Sequence, residues 1–256
     1  AVQTPPVTPN FYAISGTSAS NLWVTGDDET ILRWNGTGFV DQSHGAMHWL
    51  HDIWTVDASN VWTVGSLGTI LKWNGSTWAA QVGVVPYDLR GVGGIDASNV
   101  WAVGANGVIL KWDGSTWTAQ SSGTLTYLRS IWGTDVSNLW AVGSSGVILK
   151  WDGSAWSAQA SGTTSHLTGV YGLSASQVWA VGGGGTVLKW DGSAWALQTS
   201  DGLTWLSGVW ASNPNNIWAV GYDGVILNWN GTAWTTQTSG TKSYLVSVWA
   251  ADASNV

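Results

Sequence analysis

Three of the four histidines, His44, His48 and His51, crowd into the string HGAMHWLHD, and Asp52 follows directly. Imidazoles beside a carboxylate could hold a zinc ion or activate a water. Their spacings of four and three suit one face of a helix. The surrounding residues, however, read as a loop entering a strand, where His48 and His51 point to opposite faces. No metal site is expected from them. Other chemistry is thinner still. Gly183-Gly184-Gly185 leads from one strand into another and not into a helix, so it lacks the dipole of a phosphate site. No G-x-S-x-G nucleophile elbow occurs, and with no cysteine neither a thiolate metal site nor a disulfide can form. The sequence points to no catalytic residue and no cofactor.

The elements around these residues are set by a repeat. LWVTG begins at Leu22, VWTVG at Val61, VWAVG at Val100, LWAVG at Leu139, VWAVG at Val178 and IWAVG at Ile217, always 39 residues apart. Within one copy, LRSIWG from Leu128, NLWAVG from Asn138, VILKWDG from Val147 and AWSAQA from Ala155 read as four short strands, A to D. B and C are almost continuously apolar, as strands buried on both faces are. Four antiparallel strands per unit of about 40 residues make a propeller blade. The chain is therefore expected to be all-β, a single β-propeller domain over residues 1–256, C-terminally incomplete if the ring is larger than the sequence. The A pattern occurs seven times, from Phe11 to Leu245, while B, C and D are complete six times. That count favours seven blades over six.

Local residues fit this plan. Asn-Gly or Asp-Gly at Asn35, Asn74, Asp113, Asp152, Asp191 and Asn230 signals the C–D hairpins. The sequons at Asn35, Asn74 and Asn230 are better explained as turns, because Asp fills the same slot elsewhere. Asp57, Asp96 and Asp252 open DASN turns between A and B. Trp recurs at four places per copy (132, 140, 151 and 156 in the fourth), which reads as core. Arg33, Lys72, Lys111, Lys150 and Lys189 share one slot of strand C, where their stems can lie over neighbouring Trp rings.

Individuality lies in the D–A and B–C loops, which share one face of a propeller, and function usually resides in such loops. The residue before each A-strand Leu is Trp49, Asp88, Tyr127, His166, Trp205 or Tyr244, and these are expected to ring the mouth of the central channel. With His48 and the B–C pair Tyr222 and Asp223, they form the candidate ligand site. Aromatic platforms beside polar groups suit sugar faces.

Charged residues are only 9% of the chain and the net charge is −7, which disfavours nucleic acid as a partner. No apolar run is long enough for a membrane span. A chain free of cysteine fits an extracellular or cell-surface protein.

The combination SxxNVWAVG, GTILKWDG and GSTW resembles the tryptophan-rich repeat propellers of exported myxobacterial and other bacterial proteins. WDGSTW also resembles the Asp-box of neuraminidase repeats, although Asp and Gly are adjacent here instead of one residue apart. The resemblance implies fold and not sialidase chemistry, since only Arg33, Arg90 and Arg129 could contribute to an arginine cluster. The expected function is a non-catalytic, lectin-like binding module, with a glycan or protein ligand on the loop-variable face. The alternative is a structural or protein-interaction scaffold. Dialysed protein is expected to hold no stoichiometric zinc, and chelator to leave its melting temperature unchanged. A lower melting temperature with chelator would restore the histidine cluster as a site.

Overall fold

The computed structural model describes residues 10–43, 48–81 and 85–251. Among these, six four-stranded antiparallel sheets follow in chain order, each paired A-B-C-D. They span residues 11–41, 50–80, 89–120, 128–159, 167–199 and 206–237, and are numbered here as blades one to six. In blade four, strand A is Leu128–Asp135, B is Asn138–Gly143, C is Ile148–Trp151 and D is Trp156–Gln159. Strand A of each blade packs on strand A of the next, so the A strands wall the centre.

The seventh blade expected from the repeat count is not formed: the described residues make six blades. The last A pattern, from Leu245, runs as a segment outside every ladder. Within the 256 residues it has no complete B and C strands to pair with, and a lone strand cannot satisfy its own backbone. It nevertheless lines the inner wall. A Cβ at Gly16 would stand 3.1 Å from the Trp249 ring, as one at Gly94 would meet Trp54 at 2.8 Å and one at Gly172 would meet Trp132 at 2.7 Å. The same ring-on-glycine contact therefore joins residues 245–250 to blade one.

Tryptophan holds blade to blade. Trp23, Trp62, Trp101 and Trp140 of strand B have no exposed surface. Trp23 meets Trp73 and Trp78 of the following blade at ring distances of 5.2 and 5.4 Å, and Trp62 meets Trp112 and Trp117 at 5.0 and 5.4 Å. Strand C cations lie over this stack: Lys72 Nζ is 4.8 Å from the Trp62 ring and 5.1 Å from Trp112. The strand C indoles also tie down the A–B turns, as when Trp151 Nε1 donates to the Val136 carbonyl at 2.9 Å. At the C–D turns, Asp113 Oδ1 accepts from the backbone N–H of Ser115 and Thr116, both at 2.8 Å, and Asn74 Oδ1 plays the same part. At the A–B turns, Asp96 Oδ1 accepts from Ser98 N at 2.8 Å.

Trp151 is 5% exposed within a cluster that includes Trp101 and Trp156. Trp151→Ala should cost ~3–5 kcal/mol in urea unfolding, because the cavity cannot collapse between two rigid sheets. Trp151→Phe, which loses the hydrogen bond but keeps most of the ring, should fall between.

Candidate functional site

The B–C turns have one geometry despite their different sequences. The third and fourth residues from the strand-ending Gly take left-handed conformations, as Asn106 (φ 57°) and Gly107 (φ 68°) do. Glycine holds the second of these in five blades, where a Cβ on Gly107, for one, would lie 2.0 Å from the Thr124 carbonyl oxygen, while Glu29 (φ 53°) takes the slot in blade one. The D–A loop clasps each turn. The carbonyl before the A-strand Leu accepts from the first turn residue: Trp49 O from Ser66 N, Asp88 O from Ala105 N and Tyr127 O from Ser144 N, each at 2.9 Å.

That clasp divides the expected site residues. Asp88 Oδ1 caps Leu67 N at 3.0 Å, and His166 Nδ1 accepts from Ser145 N at 3.0 Å, so both side chains serve the turn of the preceding blade. His48 turns outward, its Nδ1 2.9 Å from Thr69 Oγ1 and 3.6 Å from Glu29 Oε1. Trp49 is half exposed, near His51, and Asp223 sits exposed in its left-handed turn position. None of these five lines the channel. Trp205, Tyr222 and Tyr244 do come together at the channel, with ring distances of 5.9 Å and 3.9 Å along the series. Tyr127 lies under two guanidiniums, Arg90 and Arg129, which are 5.8 and 5.2 Å from its ring. His44 lies outside the described residues, and among the described ones no three metal-ligating side chains gather.

The channel itself is lined by the residue after each A-strand Leu: Tyr12, His51, Arg90, Arg129, Thr168 and Ser207. Of the residues before Leu, Trp205 and Tyr244 join this set at the channel, whereas Asp88 and His166 bond to the backbone of a turn. Sequence reading missed the residues after Leu, although the signal was present: one 39-spaced slot filled by five residue types. The cavity measures about 280 Å³.

Its charge opposes that of the whole chain. Arg90 Nε donates to Tyr127 Oη at 2.5 Å, and its Nη2 stands 3.8 Å from Asp88 Oδ2. Arg129 Nε reaches only Ser144 Oγ, at 3.4 Å, and has no ion pair with a described residue. The mouth therefore presents guanidinium groups with spare donors in a largely acidic protein. Tyr12 closes the opposite side by donating to Asp27, and burial with that bond pushes its phenol up to about 12.

His51 and Asp52 sit side by side with opposed shifts. Burial, reinforced by Arg90, pushes His51 down to about 4. Burial pushes Asp52 up to about 7, against the N–H groups of Val92 and Ile53 that it accepts at 2.9 Å. Asp52 thus joins blade two to blade three, as Ser130 Oγ joins blade four to blade five through Val170 N at 3.3 Å.

No protein-family model matches this chain, and no curated protein matches it. Solved structures do. One, described as YCF48 bound to D1 peptide, aligns with a TM-score of 0.73 at 17% identity over 93% of this chain and 84% of that one. Another, YCF48 from Cyanidioschyzon merolae, aligns with a TM-score of 0.74 at 16% identity over 95% of this chain and 90% of that one. At such identity the likeness establishes the propeller fold.

The paired shifts set a pH signature. A depressed histidine gives stability that is present above its unfolded pKa near 6.5 and lost as pH falls toward 4. A raised carboxyl gives stability that is present below 3.8 and lost as pH rises through about 7. The two slopes oppose each other across the same window. Denaturant melts should show Asp52→Asn gaining stability from pH ~4 to ~6.5, and His51→Gln losing it over the same range. Parallel pH profiles for both variants and the parent would overturn this assignment.

Proposed function

We propose that this propeller is a protein-interaction module that binds a segment of a partner polypeptide across its D–A and B–C loop face. One observation carries the proposal. Of ten exposed large apolar side chains among the described residues, seven lie on that face, Leu203 (92% exposed), Leu125 (85%), Leu67 (67%) and Trp49 (51%) among them. Large apolar side chains left exposed together on one face mark a protein-interaction surface. The centre here is the channel mouth, where Arg90 and Arg129 offer hydrogen-bond donors suited to carboxylates of an acidic segment. Leu67 strengthens the case: a bulky exposed residue is kept in a left-handed conformation (φ 54°), where glycine would cost less. The likeness in fold to YCF48, which has been solved bound to D1 peptide, supports a peptide over other ligands.

Carbohydrate, the ligand suggested by the aromatic platforms, gains no such support. Trp205, Tyr222 and Tyr244 stack on one another, and His166 spends its acceptor on the Ser145 backbone. The proposal also takes the module to be non-catalytic and to work outside the cell or at its surface. The lack of cysteine and the resemblance to exported tryptophan-rich repeats support that location.

Random-peptide display and a glycan array, both against the whole chain, test the reading together. Acidic peptides should be selected and glycans should not. Arg90→Ala and Arg129→Ala should each weaken a selected peptide by about tenfold, with Leu203→Asp acting in the same direction. Glycan binding, or peptides indifferent to all three substitutions, would refute it.

A further inference from the structure

The second residue of strand A is singled out by the backbone of every blade. In blade four, Leu128 pairs with Gly143 and Ser130 with Val142, so Arg129 is the extra residue of a β-bulge. Arg90 is skipped in the same way between Leu89 and Gly91, and the slip recurs in the other four A–B ladders. Bulges re-aim side chains. Here Arg129 and Ser130 both line the channel, although neighbours along a regular strand face opposite ways.

Most side chains presented by these bulges are already committed. Tyr12 donates to Asp27, His51 Nε2 lies 3.1 Å from Ser66 Oγ, and Thr168 donates to the Leu206 carbonyl at 2.7 Å. The two arginines are not. Arg90 bonds Tyr127 Oη through Nε and approaches His51 Nδ1 at 3.5 Å through Nη1, which leaves Nη2 without a hydrogen bond. Asp88 stands 3.8 Å from that Nη2, too far to accept from it. Arg129 spends only Nε, on Ser144 Oγ at 3.4 Å, so both of its Nη atoms are open to a ligand. The Tyr127 ring holds both guanidiniums on one small patch of wall, 5.8 and 5.2 Å from its centre. Its hydroxyl proton, like that of Ser130 Oγ, has no acceptor among the described residues.

We propose that this donor cluster binds a phosphate monoester, carried by a phosphorylated serine or threonine of the partner segment. The inference rests on the peptide-binding reading above and names the side chain that occupies the mouth. Two neighbouring guanidiniums repel each other, and a group with about two negative charges compensates both, where a carboxylate compensates one. A phosphate monoester also has three acceptor oxygens pointing in three directions. They suit donors arriving from Arg90 of blade three, from Arg129 and Ser130 of blade four, and from the Tyr127 hydroxyl. A carboxylate has two oxygens in one plane. Asp52 is the one carboxyl lining the cavity among the described residues, and both its oxygens already accept from backbone N–H groups, so it does not compete for the arginines. The cavity of about 280 Å³ has room for the group. With Arg90 38% exposed, the cluster lies shallow enough for a short phosphorylated side chain to reach.

The test titrates the whole chain with inorganic phosphate, with acetate, and with fluorescein-labelled degenerate nonapeptides centred on phosphoserine, glutamate or serine. Calorimetry should show saturable phosphate binding, with acetate at least tenfold weaker. By anisotropy, phosphoserine peptides should bind at least tenfold tighter than glutamate peptides, and serine peptides weakest. Arg129→Ala should remove the phosphoserine advantage with an unchanged circular dichroism spectrum. Arg129→Lys, which keeps the charge and loses the planar fork, should retain only part of it. Equal binding of phosphoserine and glutamate peptides would overturn this inference and leave the peptide-binding reading standing. Phosphate binding without binding of any peptide would overturn both, and assign the cluster to a free phosphorylated molecule. A phosphoserine advantage that survives Arg129→Ala and Arg129→Lys would overturn the site.

Discussion

Everything in this molecule hangs on an indole of one sheet closing over the indoles of the next. Strands of three to eight residues cannot make stable sheets alone, and a blade exposes two apolar faces. Stacking removes both faces from water at once, and large rigid rings do this with little side-chain entropy to lose. The strand C cations complete the stack by covering the rings with their stems. Stability is then a sum over junctions, as in other repeat proteins, and a junction without its partner is where the array is weakest.

That constraint frees the interior and the loops. Because the second residue of each A strand faces the channel and not the core between blades, it can be Tyr12, His51, Arg90, Arg129, Thr168 or Ser207. Third positions of strand A are divided between two ways of joining blades. Gly91 and Gly169 let neighbouring backbones approach directly, while Asp52 and Ser130 bridge to them with side-chain oxygens. Asp52 makes this bridge inside the channel wall, where burial raises its carboxyl.

The B–C turns show the opposite economy. Their residues differ from copy to copy, yet the backbone is the same, held by a left-handed pair and the D–A carbonyl clasp. Variation is thus displayed on a rigid frame, which keeps the ordering cost of binding low. Exposed side chains such as Leu67 and Tyr222 are presented from this frame and do not wander on flexible loops.

The sequence by itself determined the blade. Its 39-residue period, the strand order, the Asx turns, the core indoles and the cation over each stack are local or strictly periodic, so they can be read without coordinates. Tertiary structure decided the rest. Which residues before the A-strand Leu stay at the channel depends on the partner each side chain finds: Trp205 stays with Tyr222, whereas His166 is drawn to the Ser145 backbone. The approach of Arg90 to Arg129 over Tyr127 joins residues of two blades and has no local signature. The number of blades was likewise beyond periodicity, since a seventh A pattern becomes a blade only when B and C strands pair with it. Repetition records what every copy shares, and a site is made from what single copies do differently once the ring brings them together.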